Sequence, residues 1–187
     1  MQIWVNLEEI RIQFMLQESI ARFLLQRKKP STSSKGYGGW KSVRTILIVG
    51  ILDDNWNIKS WEALYALLNS KEKKVEVLLF DPKLEDNTAH HPTFKIFGKK
   101  ALNLFGQPKG DWIRPYLSAE YNILFCLAEQ PNLTIQYICS RIIADCRVGT
   151  FDDSYSLFDL VLFRPESMKP MNYGSEMLRY LQQINAA

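Results

Sequence analysis

Apolar runs alternate with amphipathic and turn-rich segments along most of the chain. Three of these runs are nearly continuous, the first of them rich in β-branched residues, which predicts buried parallel strands covered on both faces. These strands are predicted over residues 43–52, 75–80 and 121–127. Between the first two, large apolar side chains recur at helical spacing from Trp61 to Leu68 and predict a helix over residues 57–70. Together they make a βαβ unit, whose crossover is expected to be right-handed.

The remaining pattern is more broken by turn residues. It predicts strands over residues 94–97, 147–149 and 157–163, and helices over residues 109–117, 132–143 and 173–184. Asn132 stands at the start of one helix as an N-cap. Because strands and helices alternate about five times, we expect an α/β fold. Its expected form is a three-layer, Rossmann-like, mostly parallel sheet of about five to six strands.

A separate amphipathic pattern precedes this body. Apolar residues fall at three- and four-residue spacings between Leu7 and Lys29, which predicts an amphipathic helix. A proline at position 30 and a stretch rich in serine and glycine follow, and these predict the end of the helix and a flexible linker. We therefore expect a basic helix and linker over residues 1–42 and a single α/β domain over residues 43–187.

Composition supports one globular domain. The chain has 187 residues, of which 47% are apolar and 23% charged. No apolar run approaches the roughly 18 to 20 residues of a membrane span, and the first residues lack the pattern of a secretory signal. The three cysteines form no CxxC pair, which predicts buried thiols in a reducing compartment. A cytoplasmic protein is expected.

The net charge of +3 is concentrated near the N-terminus, where residues 1–45 hold eight basic and three acidic side chains. Two partners suit a basic amphipathic helix: an anionic surface, such as the inner membrane, and a protein. The helix could equally dock on its own body. Nucleic acid is disfavoured because no binding motif accompanies the modest charge. The expected contact residues are Phe14, Leu16, Phe23, Leu24, Arg27, Lys28 and Lys29.

The end of the first strand is the first place to look for chemistry, since ligands of parallel sheets bind beyond the carboxyl ends of the strands. Asp53 and Asp54 follow that strand, but their order differs from the Asp-x-Asp-x-Thr of phosphotransferring hydrolases, and a solvated turn explains them as well. No GxGxxG or GxxxxGK[ST] motif occurs, so no cofactor is predicted. The adjacent His90 and His91 lack the partners of a zinc site or a hydrolytic triad, and we expect them in an exposed loop.

The segment from Gly98 to Gly110 combines three glycines and three lysines ahead of a predicted helix. Such a loop could hold a phosphate or another anion on its backbone N–H groups. The alternative is a plain connection pinned to the core by its apolar side chains. The candidate ligand residues at this end of the sheet are Asp53, Asp54, Lys99, Lys100 and Gly106.

Three segments carry a family resemblance: residues 43–49, 97–109 and 121–149. In them the chain resembles an uncharacterised family of small bacterial proteins, a domain of unknown function. The resemblance implies a basic N-terminal helix followed by a Rossmann-like body, and it indicates a fold and not a mechanism. Residues 121–125 and 147–149 are also faintly similar to the N-terminal half of heptosyltransferase-type sugar transferases, whose nucleotide-sugar site lies largely in a second domain.

Two functions remain open from the sequence. The first is a non-catalytic cytoplasmic α/β module that acts through protein–protein or membrane-surface contacts. The second is a binder of a small anionic or nucleotide-like ligand, or an enzyme, that uses the crevice at the carboxyl ends of the strands.

Overall fold

The computed structural model describes residues 36–151, 156–163 and 170–184. The predicted amphipathic helix therefore lies outside the described residues. The strands are β1 (Thr45–Ile51), β2 (Lys74–Phe80), β3 (Thr88–His90), β4 (Lys95–Phe97), β5 (Glu120–Leu127), β6 (Ile143–Gly149) and β7 (Leu160–Val161). The α-helices are α1 (Ile58–Leu68), α2 (Arg114–Ser118), α3 (Leu133–Arg141) and α4 (Pro170–Gln183). Short 3-10 helices occur at Trp40–Ser42, Lys99–Ala101 and Asp111–Ile113.

The seven strands form one sheet in the order β3-β4-β2-β1-β5-β6-β7. Every neighbouring pair is parallel except β3 and β4. The six parallel strands thus follow the 3-2-1-4-5-6 order of doubly wound sheets. The prediction of an α/β, mostly parallel sheet is confirmed, although the described strands number seven rather than five to six.

Helices cover both faces of the sheet. Ile46 and Ile48 of β1 point into a core with α1 and α4, whereas Leu47 and Val49 point into a second core with α3 and the segment before β5. All four of these side chains are fully buried. This explains why β1 is a continuous apolar run, because neither of its faces meets water.

The largest difference from the predicted elements concerns β6 and β7. β6 begins at Ile143, four residues before the predicted strand, and β7 is only two residues long. Arg147, at 2% exposed, lies in β6 and interrupts the apolar pattern. Its guanidinium donates to the carbonyl of Ile142 at the end of α3, at 2.9 Å, and burial lowers its pKa. The predicted strand began at Arg147, so the part of β6 that was missed is residues 143–146, which form a strand by pairing with β5.

Three further elements differ from expectation. The predicted helix over residues 109–117 is split into a 3-10 turn and the short α2, which has Pro115 in its first turn. α4 begins at Pro170 rather than Tyr173. β3 was not predicted, because Thr88–His90 has no apolar alternation and forms an edge strand only by pairing with β4.

The described chain enters at the amino ends of the strands. The hydroxyl of Tyr37 donates to the carbonyl of Leu181 in α4 at 2.7 Å, and Trp40 packs against the core beneath α1 and α4. These contacts fix residues 36–42, which the sequence had placed in the linker, against the amino edge of the sheet. The carboxyl edge, where ligands of such sheets usually bind, lies at the opposite end.

Candidate functional site

The strand order reverses between β1 and β5, because β2 and β4 are added on one side of β1 and β5, β6 and β7 on the other. The crevice beyond the carboxyl ends of β1 and β5, at this switch point, is the expected ligand position. The loop after β1 is organised by Asp53. Its carboxylate accepts the backbone N–H groups of Asn55 at 2.8 Å and Trp56 at 2.6 Å. Asn57 then caps α1 by accepting the N–H of Ser60 at 3.1 Å. The first candidate carboxylate therefore holds a turn, as the alternative interpretation expected.

A pair of tryptophans packs near the carboxyl end of β1. Trp56 stands just before the N-cap of α1 and Trp61 lies in the next turn, and these are the two positions of a hydrophobic staple. Their ring centroids are 4.6 Å apart, and the indole N–H of Trp61 donates to the carbonyl of Trp56 at 2.9 Å. Both side chains are at most 3% exposed. A buried tryptophan thus stands where dinucleotide-binding sheets place glycines to admit a pyrophosphate.

Gly50 of β1 makes this packing possible. A Cβ atom added there would lie 2.1 Å from Cη2 of Trp61, far inside van der Waals contact. The glycine in the first strand therefore serves the tryptophan and not a bound phosphate.

A small cavity remains between the ends of β1, β5 and β6. Its volume is about 160 Å³. It is lined by Trp56, Leu127, Ala128, Glu129, Gln130, Thr150 and Tyr173. At its rim the carboxamide of Asn55 donates to Glu129 at 3.1 Å. The Thr150 hydroxyl accepts the N–H of Ala128 at 3.1 Å and also contacts the Ala128 carbonyl. At roughly 30 Å³ per water molecule, the cavity has room for about five waters.

A wider and shallower crevice of about 490 Å³ lies between the ends of β1 and β2. Its charged lining residues are Asp53, Asp54, Asp81, Lys59 and Lys83. Asp54 forms an ion pair with Lys83 at 2.8 Å, and that hydrogen bond lowers the pKa of the Asp54 carboxyl. Because three carboxylates face two ammonium groups, the crevice is a poor host for an anion.

The other candidates lie elsewhere on the carboxyl edge. Lys99 and Lys100 are exposed in a 3-10 turn after β4, and with Gly106 they do not line the crevice that holds Asp53 and Asp54. Gly106 has φ +71°, and a Cβ there would lie 3.2 Å from the hydroxyl of Thr134 in α3. The structure therefore separates the two predicted halves of the ligand site.

The backbone N–H groups of the lysine-rich loop have internal partners. The Asn103 carboxamide accepts the N–H groups of Phe105 at 2.9 Å and Gln107 at 3.0 Å, and the Asn103 carbonyl accepts that of Gly106 at 3.0 Å. The donors that could have cradled an anion thus close a turn instead. Of the apolar residues expected to pin this loop, Leu102 packs on the core, but Leu104 is 79% exposed.

The histidines occupy different environments. His90 is exposed, whereas His91 is half-buried, stacked on Phe94 at 4.4 Å between ring centroids. The Nδ1 atom of His91 accepts the N–H groups of Thr93 and Phe94, each at 3.2 Å. The expectation of an exposed loop is thus wrong for His91, which packs as a structural residue. In the part of the chain that the structure describes, no three His, Cys, Asp or Glu side chains group to hold a metal ion.

The three cysteines, Cys126, Cys139 and Cys146, are buried thiols, as the sequence predicted. Burial raises the pKa of the Cys146 thiol to about 12. A thiol with such a raised pKa is a poor nucleophile at neutral pH.

A comparison with family models finds one match, a family of unknown function (DUF6913), over residues 13–184. The chain belongs to the DUF6913 family. No curated protein and no solved structure matches it. The predicted resemblance to a domain of unknown function is confirmed, and the fainter likeness to sugar transferases stays a prediction.

Sequence reasoning missed the residues that surround the switch-point cavity of this DUF6913 chain. Glu129, Thr150 and Tyr173 come from three separate segments, and only the strand order brings them together. Trp56 carried a usable signal, because an apolar residue before an N-cap and another four residues into the helix predict a staple. The described helices of the DUF6913 chain include none long and apolar enough to cross a membrane.

Proposed function

We propose that the protein is a non-catalytic α/β module that acts through surface contacts and not through the strand-end crevice. The observation that carries this proposal is the Trp56–Trp61 staple, which fills the switch point of the sheet. The cavity beside this staple, about 160 Å³, is smaller than the roughly 300 to 1,000 Å³ of typical small-molecule sites. The crevice between β1 and β2 has that size, about 490 Å³, but it is shallow and its charged lining of three carboxylates and two ammonium groups suits no anion.

The carboxylates near the crevice support the same conclusion. One carboxylate oxygen of Asp53 accepts two backbone N–H groups. Asp54 is exposed and forms an ion pair with Lys83, which lowers the pKa of the Asp54 carboxyl. A general acid near neutral pH would need a raised carboxyl pKa, which is the opposite direction. Asp53 therefore stabilises its loop, and the exposed Asp54 carboxyl is poorly suited to act as a general acid.

The contact element of the proposed module is the basic segment within residues 1–42, attached to the α/β domain of residues 43–187. Its apolar residues Phe14, Leu16, Phe23 and Leu24 alternate with polar ones, and its basic residues Arg27, Lys28 and Lys29 come last. Such a segment acts in the cytoplasm on a protein or on an anionic surface. The support for this step is the sequence pattern.

A thermal-shift screen of the full chain tests the proposal against nucleotides, nucleotide sugars, dinucleotides and divalent metals. A ligand at a hundred times its dissociation constant adds about 2.7 kcal/mol, or roughly 5–10 °C in Tm for a chain of this size. We expect shifts within about 1 °C across the panel. A shift of several degrees that Lys83→Ala or Lys99→Ala removes would establish a strand-end ligand site and overturn the proposal.

A further inference from the structure

The amino edge of the sheet carries a basic surface beside the point where the N-terminal segment joins the body. We name it the amino-edge patch. It consists of Lys41, Arg44, Lys71, Lys73 and Lys74. All are exposed except Lys73, which is half-buried. The patch lies at the end of the molecule opposite the crevice described above, because its residues precede or begin β1 and β2.

The patch is held in place by the backbone. The guanidinium of Arg44 donates to the carbonyls of Lys41 at 2.8 Å and Val43 at 3.0 Å. The carbonyl of Arg44 accepts the N–H of Lys74 at 2.7 Å, which joins the two strand starts. Two hydrogen bonds between Ser70 and Lys73 close a tight turn, and Lys71 is exposed within it. The backbone that carries these basic side chains is therefore held in a defined conformation by hydrogen bonds.

Few acidic groups oppose these five cations. Glu76 is engaged by Lys74 at 2.5 Å and by the hydroxyl of Tyr121 at 2.8 Å. Glu72 is exposed beside Lys71 in the turn. Glu120 begins the neighbouring strand β5, toward the other half of the edge. Five basic and two acidic side chains thus leave the β1–β2 half of the edge positive.

An aromatic residue lies within the same surface. Trp40 is half-buried against the core, and the Nζ atom of Lys73 lies 5.1 Å from the centroid of its ring. Tyr37 fixes the preceding backbone to α4. In the sequence, four further basic residues, at positions 27–29 and 35, precede this point.

From this arrangement we infer that the amino-edge patch is a docking face for an anionic lipid surface, on which residues 7–29 supply the apolar contact. A single weak anchor gives only reversible membrane binding, and stable attachment takes a second signal such as a polybasic surface. The patch is that second signal. This inference rests on the proposed function, since it names the partner of the contact module. The apolar residues of the segment favour lipid over nucleic acid, which offers them no hydrocarbon layer.

Vesicle flotation of the full chain tests the inference. The probes are phosphatidylcholine vesicles with and without about a third phosphatidylglycerol, and the variant is Lys41→Gln/Lys71→Gln. Each basic residue near an anionic surface contributes roughly fivefold in partitioning, so the variant should bind about 25-fold more weakly. Lys99→Gln/Lys100→Gln is the matched control: it removes the same charge from exposed positions on the carboxyl edge and should bind like the wild type. Phe23→Ser/Leu24→Ser should lower partitioning by at least roughly tenfold.

Four results would overturn the inference. They are no flotation with anionic vesicles, equal binding to neutral and anionic vesicles, equal losses in the amino-edge variant and its control, and an affinity for a single-stranded oligonucleotide as high as that for the vesicles. The thermal-shift screen separates these failures from failure of the proposed function. If no ligand shifts the Tm and the protein does not float with anionic vesicles, the lipid assignment alone is wrong. If a ligand shifts the Tm, the proposed contact module itself is wrong.

Discussion

Replacing Gly50 with alanine tests the packing that fills the strand-end crevice. The added methyl carbon would lie 2.1 Å from Cη2 and 2.5 Å from Cζ2 of Trp61, whereas carbon atoms pack at roughly 3.5 to 4 Å. Trp61 is 1% exposed, so its ring has little room to retreat. A shift of that ring would also break its 2.9 Å hydrogen bond to the Trp56 carbonyl. We expect a loss of roughly 3 to 4 kcal/mol, the upper range of overpacking plus one buried hydrogen bond.

A double-mutant cycle measured by urea denaturation and far-ultraviolet circular dichroism isolates this contact. In a Trp61→Leu background the clash with the ring is absent and only the 3.1 Å approach to the Leu127 carbonyl remains. Gly50→Ala should therefore cost less than about 1 kcal/mol there, with a coupling energy of roughly 2 to 3 kcal/mol. Gly38→Ala is the control, because its new methyl group would meet only the exposed Ser42 side chain, whose hydroxyl can rotate away at the loss of one exposed hydrogen bond to the Gly39 carbonyl. The control should stay within about 0.5 kcal/mol of wild type. A loss below about 1 kcal/mol for Gly50→Ala in the wild-type background would refute the reasoning.

Three further predictions concern single residues. Asn57→Ala and Asn132→Ala should each destabilise the protein by about 1 kcal/mol in urea, because each carboxamide accepts an N–H in the first turn of its helix. Asp53→Ala should cost roughly 1 to 2 kcal/mol, whereas Asp53→Asn, which keeps an acceptor oxygen, should retain most of that stability; equal losses would count against a turn-forming role. The Cys146 thiol has a pKa raised by burial from 9.0 to about 12, so the unfolded chain releases its proton first as pH rises. Its contribution to stability is therefore intact below about pH 9 and lost toward pH 12, and denaturation curves of Cys146→Ala should show a shallower alkaline decline.

The strands that the sequence predicted well are those buried on both faces. β1, β2 and β5 are apolar at nearly every position, so their existence does not depend on knowing their neighbours. The starts of α1 and α3 were equally visible, since Asn57 and Asn132 cap them by local hydrogen bonds. Local chemistry was sufficient for these elements.

The elements that were missed depend on contacts distant in sequence. β3 exists through its pairing with β4, and the missed first residues of β6, 143–146, form a strand by pairing with β5. The grouping of candidate residues failed for the same reason. Strand order puts Glu129 opposite Asn55 and keeps Lys99 out of the crevice beside Asp53, and no spacing along the chain reveals that order.

The amino-edge patch could be found only with the fold in hand. Lys41 and Lys71 are thirty residues apart, and the parallel pairing of β1 with β2 brings their segments to one edge. The sequence showed only that the N-terminal quarter is basic. The structure adds that a second basic segment, residues 71–74, lies at the same end of the molecule.

Hydrogen–deuterium exchange of the full chain with anionic vesicles tests most directly whether function lies at the amino edge. The account predicts slower exchange in residues 36–44 and 70–75, with unchanged exchange in residues 50–58 and 127–133 at the carboxyl edge. Neutral vesicles should produce no such protection, because the attraction of basic residues requires anionic headgroups. Protection confined to the carboxyl edge, or none at the amino edge when the protein is bound, would contradict the account.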